Sequence, residues 1–518
     1  MPVRGQATPL ATRASSSKVT TRLFTLVAKD GTPLVATVFL PETPADGTLP
    51  AVIFLNSWAL GSYEYVVQAA SFAREGYIAL SYATRGFGGS GGLVNVGGPE
   101  DLADLSSAID WLEGNTPVDR SNIGITGISY GGGISLLGAS LEPRIKTAVS
   151  MSGFPDLGYA LDGNDSPRLV WGLILLGSGY ALGQIDPATA ALYAGVVARG
   201  GDDKARDFAK VRSAATYVDA LNAAGKPLYI SNNLSDDLFQ PNPVLDYFAR
   251  LTVPKKLDLN RGEHATAELS GLVGLDNDVW NNVHAWFDHW LKGAQNGVMD
   301  QPAVSLAYKL GEGRVALDGW PSSTVSDRVF YLQPRGVFSP GGITDSAGVT
   351  QSSDVIFSGL DTLATSGFPL LSSALEAHTD VRTVIAPAFV DPLHGLVYQS
   401  DSLSDGLRIR GKALVHLPLA SSNGKAGLVA YLYDVDGLGL GTLLTHGVAS
   451  FHDGAPGAAR DLEIDLSALA HDVAPGHRIA LAVDTADILY APPTLEPYAV
   501  EVFYSQSQRP TLTIQAGN

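Results

Sequence analysis

Four continuous apolar runs lie between residues 50 and 153, and each has the length of a strand. They read PAVIFLN (50–56), YIALSYA (77–83), NIGITG (122–127) and IKTAVSMSG (145–153). A strand that is apolar at nearly every position is buried on both faces, which is typical of a parallel sheet covered by helices. These runs therefore restrict the fold to the α/β class.

Segments with helical spacing separate these runs, and the alternation continues further along the chain. Glycine ends the helical pattern at 63–76, and a proline with acidic residues begins the one at 99–114. Further strands are predicted at 227–233 and 255–260, and further helices at 241–251 and 276–293. Ahead of them, residues 21–40 alternate around Asp30-Gly31 and predict a β-hairpin.

The chain of 518 residues is too long for one core, and its pattern changes twice. Residues 154–220 are helical, rich in Ala and Leu, and interrupt the sheet, so they predict a helical cap over the ends of the strands. Beyond residue 300, short β-type runs predict an all-β sandwich or jelly roll. The predicted domains are 21–295, with the cap inserted at 154–220, and 300–518.

Two segments bear on localisation. Residues 1–20 lack an apolar core of signal-peptide length, so we expect a disordered leader and a cytoplasmic rather than a secreted protein. The longest apolar stretch, residues 169–183, is too short and too interrupted by glycine to span a membrane. It predicts a buried helix.

Charge and composition exclude several classes of function. A net charge of −18 argues against nucleic acid or an anionic membrane as a partner, because binding to phosphates requires a basic surface. With no cysteine, the chain has no disulfide, thiolate metal site or cysteine nucleophile. Nothing in the sequence indicates the oligomeric state.

The stretch GITGISYGGG (124–133) contains the pattern G-x-S-x-G, centred on Ser129. A buried strand precedes it and a helix of small residues follows, which is the context of the nucleophile elbow in an α/β-hydrolase fold. A glycine-rich turn with an ordinary serine is the alternative. The context favours Ser129 as a nucleophile.

A nucleophilic serine needs a base, and in this fold the base follows the acid in the chain. None of the 10 histidines precedes His264, which lies just after the last predicted strand of the sheet. His284 and His289 lie within an aromatic-rich helix, where a packed or surface position is expected. His264 is therefore the predicted base.

The acid is expected after the strand at 227–233, where Asp236 and Asp237 are adjacent. A typical acid loop has a small residue three positions before the acid and an apolar residue three after it. Asn233 and Phe239 occupy these positions for Asp236, which we prefer. Asp237 is the alternative acid, and the residue not used is expected to be a solvated loop side chain.

Catalysis also requires hydrogen-bond donors for an oxyanion. The backbone N–H of Tyr130, directly after the nucleophile, is one candidate. Trp58, in the loop after the strand at 50–56, is the second candidate, with a packed aromatic ring as the alternative.

Two further glycine-rich segments are interpreted as turns. Residues 81–92, SYATRGFGGSGG, lack the Gly-Lys-Ser/Thr ending of a phosphate-binding loop, so Arg85 is expected to hold nearby loops together. Residues 434–441, DVDGLGLG, lack the downstream glutamate of a calcium loop, despite Asp434, Asp436 and Gly437, and predict a β-turn.

Across residues 20–515 the chain resembles the X-prolyl dipeptidyl-peptidase and cocaine esterase family of serine hydrolases. The matching pieces are RGFGGSGG, IDWLEG, GISYGG, WFDHWLKG before NGV, and PGHRIALAVDTAD. The resemblance implies an α/β-hydrolase domain, a helical cap and a C-terminal jelly roll. It also implies Ser129 as nucleophile, Asp236 as acid and His264 as base in acyl transfer to water, with no metal or organic cofactor.

The sequence departs from this family at the oxyanion loop. Several members carry a Pro-Tyr pair there, and the tyrosine hydroxyl serves the oxyanion hole, whereas this chain has Ser57-Trp58. Only the backbone N–H or the indole N–H of Trp58 is then available as a donor.

The expected substrate is a small ester or a short peptide. An X-Pro peptidase must bind a free ammonium group, and the cap offers three carboxylates, Asp156, Asp162 and Asp165. The cap is otherwise apolar, which suits an uncharged group; its apolar residues include Leu169, Val170, Trp171, Leu173, Ile174, Leu175 and Leu176. We therefore prefer an ester hydrolase to an X-prolyl dipeptidyl aminopeptidase. A non-catalytic binding protein with a degenerate hydrolase domain is the second alternative.

Overall fold

The computed structural model describes residues 18–42, 47–199, 203–337, 339–348, 351–369, 371–379 and 381–517. Residues 1–17 of the predicted leader lie outside these ranges. In the described part of the chain, no helix has the length and apolarity needed to cross a bilayer.

Residues 19–317 contain the ten strands of the first sheet. They are β1 (Val19–Val27), β2 (Pro33–Pro41), β3 (Leu49–Leu55), β4 (Ile78–Tyr82), β5 (Val118–Ile128), β6 (Ile145–Met151), β7 (Leu228–Asn233), β8 (Lys255–Asn260), β9 (Val304–Ala307) and β10 (Arg314–Leu317). Their order in space is β1-β2-β4-β3-β5-β6-β7-β8-β9-β10. The β1–β2 hairpin pairs antiparallel with β4, and the strands from β4 to β9 are parallel to one another.

Helices connect the parallel strands. They are α1 (Val66–Arg74), α2 (Pro99–Asn115), α3 (Tyr130–Leu141), α4 (Leu157–Asp162), α5 (Leu169–Leu182), α6 (Pro187–Arg199), α7 (Asp203–Lys210), α8 (Val218–Ala224), α9 (Pro241–Arg250), α10 (Leu269–Leu272) and α11 (Asp278–Lys292). Separate apolar clusters, with Leu137 in one and Trp286 in the other, cover the strands, so the central strands are buried as their sequences predicted.

The sheet continues further along the chain than the sequence indicated. The strands β9 and β10 lie beyond residue 300, within the range predicted for the second domain, yet β9 pairs parallel with β8. Each is only four residues long, which makes its periodicity too short to detect.

The remaining strands form a second, larger sheet that surrounds its own apolar core. They are β11 (Val325–Leu332), β12 (Gly341–Thr344), β13 (Ser352–Phe357), β14 (Val384–Ile385), β15 (Gly395–Ser400), β16 (Leu407–Ser421), β17 (Ala426–Val435), β18 (Gly441–Phe451), β19 (Ala459–Val473), β20 (Arg478–Asp484), β21 (Ala499–Tyr504) and β22 (Thr511–Gly517). In the described part of this region, the helix α12 (Leu371–Thr379) and the short 3₁₀ helix Pro387–Phe389 interrupt them. This is the all-β domain that the sequence predicted.

The segment between β6 and β7 is helical, as predicted for a cap. It contains α4 to α8 and the short 3₁₀ helices Gly163–Asp165 and Ala214–Tyr217. The prediction of a buried helix at 169–183 is wrong in part, because Leu173, Tyr180 and Leu182 of α5 are more than half exposed. An insertion that packs on the sheet with one face leaves its other face in solvent.

The cap also contacts the β domain. The Ser166 hydroxyl donates to the Ser450 hydroxyl, 2.8 Å away, and the Asn164 side-chain amide donates to the Val448 carbonyl at 3.1 Å. The backbone N–H of Ala491 donates to the Pro167 carbonyl, 2.8 Å away. The β domain therefore holds one end of the cap.

Candidate active site

Ser129 lies at a sharp turn between β5 and α3. Its backbone has φ 57° and ψ −116°, outside the regions that most residues adopt. The glycines on either side leave room for this turn. A Cβ on Gly131 would overlap the Leu55 carbonyl oxygen, and one on Gly127 would lie 2.6 Å from the same oxygen. The glycines around the serine are therefore a steric requirement of the turn.

His264 follows the end of β8 and reaches Ser129 across the carboxyl edge of the sheet. Its Nε2 atom lies 2.8 Å from the Ser129 Oγ atom. Aromatic rings surround the imidazole, with Trp171 and Phe239 edge-on at ring-centroid distances of 5.5 and 4.9 Å. They leave the imidazole mostly buried.

Asp236 completes a continuous chain of hydrogen bonds. Its Oδ2 atom lies 2.8 Å from His264 Nδ1, and its Oδ1 atom accepts the backbone N–H groups of Leu238 and Phe239 at 3.0 and 2.7 Å. Both carboxylate oxygens are therefore fixed. The structure brings the predicted nucleophile, base and preferred acid together in the order that the sequence predicted.

The alternative acid, Asp237, points elsewhere, and the expectation of a solvated side chain is wrong. Its side chain is only 12% exposed, and its Oδ1 atom lies 3.6 Å from Nε2 of His446 in β18. Burial, with a contribution from the adjacent Asp236, raises the pKa of Asp237 to about 7. The β domain, which the sequence did not connect with this loop, encloses the side chain.

The electrostatics around His264 favour its protonated form. Burial alone lowers the pKa of His264, but the charge of Asp236 and its hydrogen bond to the imidazole outweigh this effect. The pKa of His264 is therefore raised above its ordinary value of 6.5. An imidazole in this environment accepts a proton readily.

Tyr130 is the first residue of α3, where a backbone N–H has no acceptor in a preceding helical turn. Its side chain is fixed, because the hydroxyl donates to Asp101 Oδ2 at 2.8 Å and accepts the Gly97 N–H at 3.0 Å. Burial raises the pKa of the Asp101 carboxyl to about 7. The N–H beside the nucleophile is thus held in place.

Trp58 was predicted to be either an oxyanion donor or a packed aromatic ring, and its side chain takes the second role. Its indole N–H donates to the Leu175 carbonyl of the cap at 2.9 Å, so that donor is already used. Its ring packs edge-to-face against Tyr130, with centroids 5.5 Å apart. Only the backbone N–H of Trp58 then remains as a candidate oxyanion donor, and the ring forms part of the wall.

A cavity of about 540 Å³ opens at Ser129 between the sheet edge and the cap. Its wall near the serine is apolar and includes Trp58, Phe154 and Phe239. Of the apolar cap residues singled out in the sequence, Leu175 and Leu176 line the cavity. Leu173 and Ile174 face solvent instead. This volume is in the range of small-molecule sites.

The three cap carboxylates all line this cavity but have different surroundings. Asp156 caps α4 by accepting the Tyr159 N–H, and Asp165 lies 3.5 Å from Arg206. The Oδ1 atom of Asp162 is buried without a hydrogen-bond partner. Burial raises the pKa of Asp162 to about 6.

The remaining sequence motifs have structural roles. Arg85 donates to Asp104 and pairs with Asp30 and Glu100, so it holds the β1–β2 turn against α2, as expected. Asp436 caps the predicted turn at 434–441. Among the described residues, no group of three or more His, Cys, Asp or Glu side chains is arranged to hold a metal ion.

Two histidines set aside in the sequence are packed within the molecule. His284 hydrogen-bonds with Glu75 and Gln68 and stacks on Phe72. His289 Nδ1 lies 2.9 Å from the Ala294 carbonyl. Neither is among the residues that line the cavity at Ser129.

Models of two protein families match the chain. The model of the X-Pro dipeptidyl-peptidase (S15 family) matches residues 30–170, and that of the X-Pro dipeptidyl-peptidase C-terminal non-catalytic domain matches residues 296–517. A Bacillus cereus protein named "Putative Xaa-Pro dipeptidyl-peptidase" is 21% identical over 411 residues, or 73% of this chain. The match covers 63% of that relative, less than two thirds of its length.

Solved structures with the same fold cover nearly the whole chain. An α-amino acid ester hydrolase has a TM-score of 0.72 at 17% identity, with 100% of this chain and 99% of that chain covered. A CocE/NonD family hydrolase from Staphylococcus aureus has a TM-score of 0.72 at 14% identity, with 95% and 93% covered. These solved structures share the fold. The two family models, which together match more than half of the chain, show that it belongs to the X-prolyl dipeptidyl-peptidase and cocaine esterase family of serine hydrolases.

Proposed function

We propose that this protein hydrolyses carboxylic esters through an acyl-enzyme intermediate on Ser129. The observation that carries the proposal is the chain of 2.8 Å contacts from Ser129 through His264 to Asp236, which opens into a largely apolar cavity. This arrangement has the parts of a serine hydrolase triad. Either step of a two-step acyl transfer can use it.

In the first step, His264 Nε2 accepts the proton of the Ser129 hydroxyl as its oxygen attacks the acyl carbon. Asp236 holds the imidazole with its other nitrogen protonated and stabilises the imidazolium that forms. His264 then gives the proton to the leaving alcohol. In the second step, the same imidazole takes a proton from water as the water oxygen attacks the acyl carbon. The bond from that carbon to Ser129 Oγ then breaks, His264 returns the proton to Oγ, and the acid is released.

The negative charge on the acyl oxygen needs donors already in position. We assign this role to the backbone N–H groups of Tyr130 and Trp58. Tyr130 is held through its hydroxyl, and Trp58 through its indole. Because both side chains are occupied in this way, neither backbone N–H has to reorganise during the reaction.

The lining of the cavity supports an ester substrate with an uncharged acyl or alcohol group. The wall near Ser129 is apolar and aromatic, with Trp58, Phe154 and Phe239 among its residues. An X-prolyl dipeptidyl aminopeptidase is the second candidate. Asp162 favours it, because this side chain lines the cavity and a carboxylate there is a suitable partner for a substrate ammonium group.

A fluorophosphonate probe and a substrate panel test the proposal. We expect the probe to label the wild type and not Ser129→Ala, and the substitution to lower ester hydrolysis by about 10⁴-fold or more. Equal labelling of both proteins would support the non-catalytic alternative. Rapid cleavage of an X-Pro anilide with negligible hydrolysis of p-nitrophenyl esters would replace the ester assignment with the peptidase. Loss of anilide cleavage in Asp162→Asn would then identify the ammonium site.

A further inference from the structure

Glu263, the residue before the histidine, lies between the two loops that carry the acid and the base. One of its carboxyl oxygens, Oε1, accepts the backbone N–H of Asp237 at 2.9 Å and that of His264 at 3.1 Å. The residue is 2% exposed. A single buried oxygen thus joins the peptide after the acid to the peptide of the base.

This contact continues the pairing of β7 with β8 beyond the ends of the strands. The ladder ends at the Asn233 and Asn260 pair, and two backbone bonds follow, from Leu234 N–H to the Asn260 carbonyl and from Ser235 N–H to the Gly262 carbonyl. The acid loop then turns away to wrap around the Asp236 carboxylate. The backbone N–H of Asp237 then donates to Oε1 of Glu263, so this side-chain oxygen takes the place of a backbone carbonyl as the acceptor.

We propose that Glu263 is a positioning residue, which holds the acid loop against the base loop and thereby keeps Asp236 aligned with His264. This inference rests on the triad assigned under Proposed function. Glu263 is not among the residues that line the cavity, and its hydrogen bonds go to the two loops, so it acts through them.

The chemistry of the group supports a role as a hydrogen-bond acceptor rather than as a charge. Burial and the nearby carboxyls of Asp237 and Asp236 raise the pKa of Glu263 well above its ordinary value. Its Oε2 atom has no hydrogen-bond partner that would stabilise an ionised form. A neutral glutamine, which keeps a carbonyl oxygen at the same place, should replace it.

Glu268 provides a matched control. It is another fully buried glutamate in the same loop, and one of its oxygens also lacks a hydrogen-bond partner. Its other oxygen accepts the hydroxyl of Ser152, 2.7 Å away, and not a backbone N–H of either triad residue. Removing it creates a similar cavity without releasing the acid loop from the base loop.

The test compares Glu263→Gln, Glu263→Ala and Glu268→Ala in the full chain, with kcat and KM for a p-nitrophenyl ester and the downfield proton resonance of His264 Nδ1–H. We expect Glu263→Gln to keep kcat within about threefold and to keep the resonance, because the acceptor remains. Glu263→Ala should lower kcat by about 10–100-fold at nearly constant KM and should shift or broaden the resonance. Glu268→Ala should keep the resonance even where it lowers the melting temperature.

Two results would overturn the inference: an unchanged kcat and resonance in Glu263→Ala, or equal losses in the Gln and Ala variants, which would show that the charge is what matters. If Glu263→Ala does not fold, Glu263→Asp replaces it, since its shorter side chain cannot reach both N–H groups and should show a partial loss of kcat. The resonance needs no substrate. A wild type inactive on every ester and anilide would therefore refute the proposed function while the positioning role was still tested.

Discussion

The proposed nucleophile and the proposed acid–base pair lie at the same sheet edge but are held by different means. Ser129 is held by shape, because glycines allow a turn that any side chain at Gly131 would block. His264 and Asp236 are held by hydrogen bonds among buried polar groups. A fixed steric turn depends on residues next to it in the chain, whereas a polar network draws on residues from distant segments.

This difference has a consequence for how each part fails. A steric site is disrupted by adding atoms, and a hydrogen-bonded site is disrupted by removing an acceptor or moving a charge. Substitutions near Ser129 therefore test the steric requirement, and substitutions near His264 and Asp236 test the hydrogen-bond network.

The largest effect is expected from Gly131→Ala. The new Cβ would overlap the Leu55 carbonyl oxygen, a backbone atom that cannot rotate away, so the elbow must shift. We expect hydrolysis to fall below detection and stability to fall by about 1–3 kcal/mol or more. Gly177→Ala in α5 is the control, because its Cβ would meet nothing within 4 Å. Normal kcat in Gly131→Ala would show that shape does not hold the nucleophile.

Next in size is the contrast between Asp236→Asn and Asp237→Asn, two isosteric changes one residue apart. Asp236→Asn cannot stabilise the imidazolium and should lower kcat by about 10³–10⁴-fold. Asp237 does not contact His264, and its pKa of about 7 means that a neutral amide resembles its protonated form. We expect its loss to stay under about tenfold. Steady-state kinetics on one ester would check both, and the opposite ranking would make Asp237 the acid.

The pH dependence of kcat/KM tests only the electrostatic surroundings of His264. His264 must be unprotonated to act as a base, and its pKa is raised above 6.5 mainly by Asp236, against the effect of burial. The kcat/KM for a neutral ester should therefore rise with pH, and below the raised pKa it should fall about tenfold per pH unit. An acidic limb centred at or below pH 6.5 would contradict the assigned surroundings of the imidazole.

The smallest effect is expected from Trp58→Phe. The change removes the indole bond to the Leu175 carbonyl but keeps the backbone N–H that we assign to the oxyanion hole. The loss in kcat should stay within about tenfold, the size of one ordinary hydrogen bond. A loss of about 10²–10³-fold would instead identify the indole as an oxyanion donor. Pre-steady-state acylation rates would separate the two.

The parts of the candidate site that could be predicted from the sequence are those marked by residues close to them in the chain. The elbow pattern, the position of His264 after a strand and the apolar Phe239 after Asp236 are all short-range signals. The parallel strands were equally accessible, because their apolar runs are continuous.

What the sequence did not reveal depends on contacts between distant segments. The burial of Asp237 comes from His446, more than 200 residues later, and the use of the Trp58 indole comes from a carbonyl of the cap. Glu263 carries no pattern, since its role arises from one oxygen placed between two loops. Contacts between residues far apart in the chain leave no periodic pattern in the sequence from which they could be predicted.

The strands β9 and β10 have a practical meaning for anyone who wishes to divide this chain. They follow α11 in the chain, and β9 covers the edge of β8, the strand that leads to His264, while β10 pairs with β9. A gene cut near residue 300 would leave that edge bare, with unpaired backbone groups able to join another chain. An expression fragment meant to retain the hydrolase half should therefore extend past Leu317.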